Sequence, residues 1–114
     1  MLILKNYLNI KAKTVLLNRD VNIVVVTKGQ NFENIKPIID QGHLDFGENK
    51  VQEASQKWSE ILTNNPRIKL HLIGKLQSNK AKDAFNLFHY VHSLDSEKLA
   101  KIFSNLENNN SKKI

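Results

Sequence analysis

Ile23-Val24-Val25-Val26-Thr27-Lys28 is the stretch that decides the fold of this chain. The residues before the lysine form the strongest β-branched apolar run in the sequence. Such a run predicts a strand buried on both faces, as in parallel sheets. In open α/β sheets and (β/α) barrels, ligands collect at the carboxyl ends of such strands. Lys28 stands at that end, its stem expected in an apolar setting and its amine at the mouth of a site. Desolvation lowers an amine's pKa and favours the neutral nucleophile that condenses with an aldehyde. Position alone favours a plainer role, a charged residue that ends a strand in water.

Upstream, residues 2 to about 18 carry Leu4, Tyr7, Leu8, Val15 and Leu16 as an imperfect helical face. Downstream, a helix is expected near 32–41, with Ile35, Ile38 and Ile39 on one side and Gly42 as its stop. Pro37 suits only a first turn, which would move the start of that helix to near Lys36. Leu44-Asp45-Phe46 predicts a short strand ended by Gly47. Val51, Ala54, Trp58, Ile61 and Leu62 then define a helix over 50–62, with Glu53 and Lys57 paired on its wet side. Asn64-Asn65-Pro66 breaks the chain. Lys69 to Ile73 is a third strand, closed by Gly74. A helix over 79–87 leads to a fourth strand, Tyr90-Val91-His92-Ser93. Asp95 or Ser96 caps a last helix carrying Leu99, Ile102, Phe103 and Leu106. The expected domain is residues 1–106, and 107–114 reads as a disordered polar tail.

The order is thus a helix followed by four β-α units, which predicts an α/β fold with a parallel sheet. Four units suit a small open sheet or half of an eight-unit barrel. At 114 residues the chain is one domain of ordinary composition, 40% apolar and 25% charged. It has no apolar stretch near the ~20 residues of a membrane helix. No basic-then-apolar leader is visible at the start, and there is no cysteine for a disulfide or thiolate site. These features fit a cytoplasmic protein. The net charge of +6 raises nucleic acid as a partner, but the 15 lysines are dispersed and arginine occurs only at Arg19 and Arg67. Nucleic-acid binding is therefore disfavoured. The 15 asparagines, with the lysine and isoleucine excess, look compositional.

Three segments fall where strands hand over to helices: Thr27-Lys28-Gly29-Gln30, Phe46-Gly47-Glu48-Asn49 and Ile73-Gly74-Lys75-Leu76-Gln77-Ser78-Asn79-Lys80. Parallel strands put all three on one rim. The rim would gather Lys28, the carboxylate of Glu48, and the amides of Asn49, Gln77 and Asn79. Each taken alone is a turn or cap residue; the convergence makes them a candidate site. His71 alternates with Leu70 and Leu72 and so faces the other way, as a buried, hydrogen-bonded structural histidine. His89 and His92 lack the further ligands a metal site needs. No glycine-rich phosphate loop and no Ser-His-Asp arrangement occurs.

The stretches Val24 to Lys28, Phe46 to Ala54 and His71 to Lys80 resemble the pyridoxal phosphate homeostasis family. That family's fold is a (β/α)8 barrel like the N-terminal domain of alanine racemase. The resemblance runs from about residue 20 to 105. It implies the N-terminal half of such a barrel, and pyridoxal 5′-phosphate as cofactor, held as an aldimine of Lys28 beside Asn49. His71, Gln77, Ser78 and Asn79 would be further rim residues. It also implies a non-enzymatic carrier or buffer that keeps the reactive aldehyde bound in vitamin B6 homeostasis. The sequence departs from the pattern in two places. Lys28-Gly29-Gln30-Asn31 lacks the second lysine and the proline usual there, and Lys50 replaces an aromatic residue. The family's phosphate-holding residues lie in a second half that has no counterpart here. The chain is therefore expected to be a truncated or split product. It would close its barrel with a separately encoded C-terminal half or by self-association through the open edges. The competing expectation is a non-functional fragment or interaction module unable to hold the cofactor.

Overall fold

β-branched runs and amphipathic helices alternate along the chain, and each settles into the layer its pattern suits. The structure, a computed structural model, describes residues 2–16, 22–110, 112 and 114. Helix α1 (Leu2–Leu16) precedes four β-α units: β1 (Val25–Val26) and α2 (Phe32–Asp40), β2 (Asp45–Glu48) and α3 (Val51–Asn64), β3 (Lys69–Leu72) and α4 (Ala81–Leu87), β4 (Tyr90–Val91) and α5 (Glu97–Asn108). A short 3₁₀ turn, Ser78–Lys80, leads into α4. The four strands are all parallel and lie in chain order. The expected α/β order is therefore observed. Among the described residues the sheet is open, with β1 and β4 each paired on one side only.

Side-chain alternation sorts the sheet into two faces. Phe46, Leu70 and Leu72 point at the helices and are fully buried, against Trp58 of α3, Ile35 and Ile38 of α2 and Phe85 of α4. The opposite face carries Val24, Val26, Asp45, Gly47, His71, Ile73 and Tyr90. No element covers it among the described residues, so Val26 is 45% and Tyr90 49% exposed. The first strand is thus buried on one face, not two. Its ladder is also shorter than the apolar run, because only Val25 and Val26 find partners, in Phe46 and Gly47.

The helices follow their patterns, with differences mainly at their ends. α2 starts at Phe32, as the 32–41 pattern predicts and not near Lys36 as Pro37 suggests: the Asn31 side chain caps it by accepting the Asn34 N–H, and Pro37 lies inside. A good cap and the buried Ile35 and Ile38 offset the one backbone bond that the proline lacks. In α1, Tyr7 is buried, but Leu8 of the expected face is exposed. The side chains of Val15 and Leu16, and the expected end near residue 18, lie outside the described residues. α5 is capped by Ser96, one of the two expected caps, and continues past residue 106 to Asn108. Beyond it, Lys112 donates to the carbonyls of Phe85 and Phe88 at the end of α4. Its ammonium also lies 5.4 Å from the centre of the Phe85 ring.

Candidate functional site

The carboxyl ends of β1, β2 and β3 are stepped into one rim by the ladder. The Thr27 N–H donates to Gly47 O, and the Ile73 N–H to Glu48 O. Lys28 therefore leaves β1 on the same side as Asn49 leaves β2. Lys28 occupies a turn with Gly29 at φ +71° and is exposed. Among the described residues, nothing supplies the apolar setting expected for its stem.

Lys28 is nonetheless held from both flanks by α3. The Lys57 Nζ donates to the carbonyl of Thr27 at 2.6 Å, and the Gly29 N–H donates to Glu53 Oε1 at 2.8 Å. The Gly29 hydrogen bond is the main reason the Glu53 carboxyl titrates below its usual range, with Lys57 adding to it. Lys57 reaches inward because Glu48 lies beneath it. Glu48 is fully buried on the helix face, and its Oε2 accepts from Lys57 Nζ at 3.0 Å, from Trp58 Nε1 at 2.9 Å and from the Thr27 hydroxyl. Its Oε1 has no hydrogen-bond partner among the described residues. Glu48 is thus a buried anchor under the Lys28 turn and not the rim carboxylate expected. Lys57, expected on the wet side with Glu53, is the cation of that anchor. Alternation carried the missing signal: Glu48 shares a face with Phe46, so it had to be buried and had to have a partner.

Asn49 is half-buried and sits against β3. A Cβ placed on Gly74 would lie 2.2 Å from Asn49 O and 2.9 Å from its C and Cα. Only glycine allows this approach, so Gly74 sets where the Asn49 backbone lies. The Gly74 carbonyl in turn accepts from the Ser93 hydroxyl, linking the fourth strand to the rim. Asn49 and Gln77 line one cleft of about 320 Å³, with Lys50, Gln52, Lys75 and Lys80. Ser78 and Asn79 belong to the 3₁₀ turn behind that cleft and do not line it.

His71 is buried on the inner face, not on the rim. It pairs in register with Gly47, one side-chain repeat below Ile73, or roughly 7 Å. Its Nε2 meets Asp45 Oδ1 at 2.9 Å and its Nδ1 meets His92 Nε2 at 2.9 Å, while its ring stacks on Tyr90. Both nitrogens are engaged, as expected of a structural histidine. His89 points elsewhere, its Nδ1 accepting the Leu70 N–H. No cluster of three or more metal-capable side chains occurs among the described residues. Nor is any described helix long and apolar enough to cross a membrane.

No protein-family model matches the chain. Curated relatives do. The pyridoxal phosphate homeostasis protein of Synechocystis sp. is 41% identical over 80 residues, covering 70% of this chain and 36% of the relative. That of Buchnera aphidicola subsp. Acyrthosiphon pisum is 37% identical over 86 residues, covering 75% and 42%. That of Vibrio cholerae is 38% identical over 82 residues, covering 70% and 35%. Among solved structures, PipY of Synechococcus elongatus with PLP bound superposes with a TM-score of 0.81 at 33% identity. That superposition covers 94% of this chain and 49% of PipY. The open sheet thus matches the N-terminal half of a TIM barrel like PipY. The chain spans well under half the length of these curated relatives.

Proposed function

We propose, for a chain homologous to the N-terminal part of the pyridoxal phosphate homeostasis proteins, that it binds pyridoxal 5′-phosphate through Lys28 and acts in vitamin B6 homeostasis without catalysing a reaction. Bound there, the cofactor supplies an aldehyde that an amine can hold reversibly. The carrying observation is the double grip on the Lys28 turn. Lys57 fixes Thr27, Glu53 fixes Gly29, and the lysine between them projects from a set backbone. A lysine on a fixed backbone spends less entropy on each encounter than one on a mobile loop.

The remaining residues take supporting roles. Asn49, set by Gly74, offers an amide at the neighbouring strand end. Gln77, Ser78 and Asn79 shape the third connection of the rim, and His71 holds the inner face beneath it. The open edges of β1 and β4, together with exposed Val26 and Tyr90, support a polypeptide partner that completes the barrel. That partner is a separately encoded C-terminal half or a second copy of this chain, and the assembly is cytoplasmic. The truncated alternative, a module too incomplete to retain the cofactor, draws support from the same open face. Titration with pyridoxal 5′-phosphate separates the two. The proposal expects a visible absorption band that Lys28→Ala abolishes, alone or with a co-expressed C-terminal half of a relative. No band under either condition supports the alternative.

A further inference from the structure

We propose that the cleft between the β2–α3 and β3–α4 connections is a binding site for a small phosphorylated molecule, separate from the Lys28 amine. The cleft measures about 320 Å³, and its polar lining is Asn49, Lys50, Gln52, Lys75, Gln77 and Lys80. That volume falls in the range of small-ligand pockets, roughly 300–1,000 Å³. Lys28 is not among its walls.

Three lysines, Lys50, Lys75 and Lys80, line the cleft, and none forms an ion pair among the described residues. The nearby acids do not neutralise them. Glu53 lies within the field of Lys50 but is engaged by Gly29 and Lys57. Asp83 borders an adjoining depression that shares Lys80. Lys50 caps α3 without a side-chain hydrogen bond, so the first-turn N–H groups of that helix lack a side-chain acceptor and its positive end adjoins the cleft. The amides of Asn49, Gln52 and Gln77 add donors that orient an oxyanion, and buried Val51 and Leu76 give the cleft an apolar part.

The backbone that frames the cleft is fixed before any ligand arrives. Gly74 presses the β3 exit onto the backbone of Asn49, and the Ile73 N–H ties the same exit to Glu48. A preformed site with three point charges suits a phosphate dianion better than a single carboxylate. The bounded volume, with lysines otherwise dispersed, favours a small molecule over a polymer that would track a long basic stripe.

Calorimetric titration of the full chain with inorganic phosphate, AMP and adenosine tests this at low salt. Phosphate and AMP should bind and adenosine should not. Replacing Lys50, Lys75 and Lys80 together by Gln should weaken AMP about 30-fold or more, taking at least threefold per charge. Lys82→Gln, outside the cleft, should leave affinity unchanged. Lys28→Ala should also leave it unchanged, so this site and the proposed cofactor amine fail or stand independently. Circular dichroism of the triple variant should match the parent. Undetectable binding of phosphate and AMP overturns the proposal. So does equal binding by the triple variant, or loss of AMP binding in Lys28→Ala. RNA binding with a steep salt dependence and no response to AMP would make the cleft part of a polyanion surface instead.

Discussion

Removing the ammonium beneath the Lys28 turn should cost far more than removing a surface charge. In Lys57→Met, Glu48 stays fully buried and keeps only the Trp58 indole and the Thr27 hydroxyl as donors to Oε2. The Lys57 side chain is 13% exposed and that of Glu48 0%, so water screens the pair poorly. Breaking a buried pair from one side costs about 3–5 kcal/mol, because the remaining charge is uncompensated. Lys57→Met also strips the Thr27 carbonyl of its donor. With a urea slope of about 1–2 kcal/mol per molar for a small domain, the unfolding midpoint should fall by roughly 2 M. Adding Glu48→Gln should restore most of the loss, since Gln still accepts from Trp58 and carries no charge. The coupling between the two changes should reach about 2 kcal/mol, within the range for contacting residues. Lys36→Met serves as the comparison. Its partner Asp40 and Lys36 itself are more than half exposed, so it should cost no more than about 0.5 kcal/mol. If Lys57→Met costs under about 1 kcal/mol, or if Glu48→Gln fails to rescue it, the buried-anchor argument is wrong.

Gly74→Ala should force about 1 Å of backbone movement between β3 and Asn49 before an ordinary contact is reached. The expected destabilisation is about 1–3 kcal/mol in urea melts, with altered amide chemical shifts at Asn49; an unshifted, fully stable variant contradicts the contact. Gly29→Ala meets no atom within 4 Å but keeps φ +71°, so only the left-handed penalty of about 1 kcal/mol should appear. A pH effect follows from His43, whose pKa is lowered chiefly by burial, and from His89, lowered by burial and then by Lys69. On acidification the unfolded chain takes up these protons first, so stability should be flat above about pH 6.5 and fall below it. Urea midpoints that match at about pH 7.5 and about pH 5.5 would refute that assignment.

Much of the architecture could be read from periodicity. The helix expected over 50–62 from Val51, Ala54, Trp58 and Ile61 is observed over Val51–Asn64, and the strand around Leu70 follows from its alternation with His71. That alternation turns His71 to the inner face, where both its ring nitrogens are bonded. Errors arose where tertiary contacts outweigh local preference. Pro37 does not delay the start of its helix, because the Asn31 cap outweighs its local penalty. Glu48 reads as a rim residue because it follows Gly47 at a strand end, whereas the face it shares with Phe46 puts it under the helices. Lys57 could not be seen as an inward residue until Glu48 was. Gly74 read as a strand stop; that it admits the Asn49 backbone depends on a crossing of two chain segments that no local pattern records.

The most direct test of Lys28 as the cofactor amine is borohydride reduction of the chain in the presence of pyridoxal 5′-phosphate, followed by peptide mass spectrometry. One dominant adduct is expected, on Lys28, that forms at low cofactor excess and is lost in Lys28→Ala without moving to a neighbour. An adduct spread over the exposed lysines in proportion to their accessibility would contradict it.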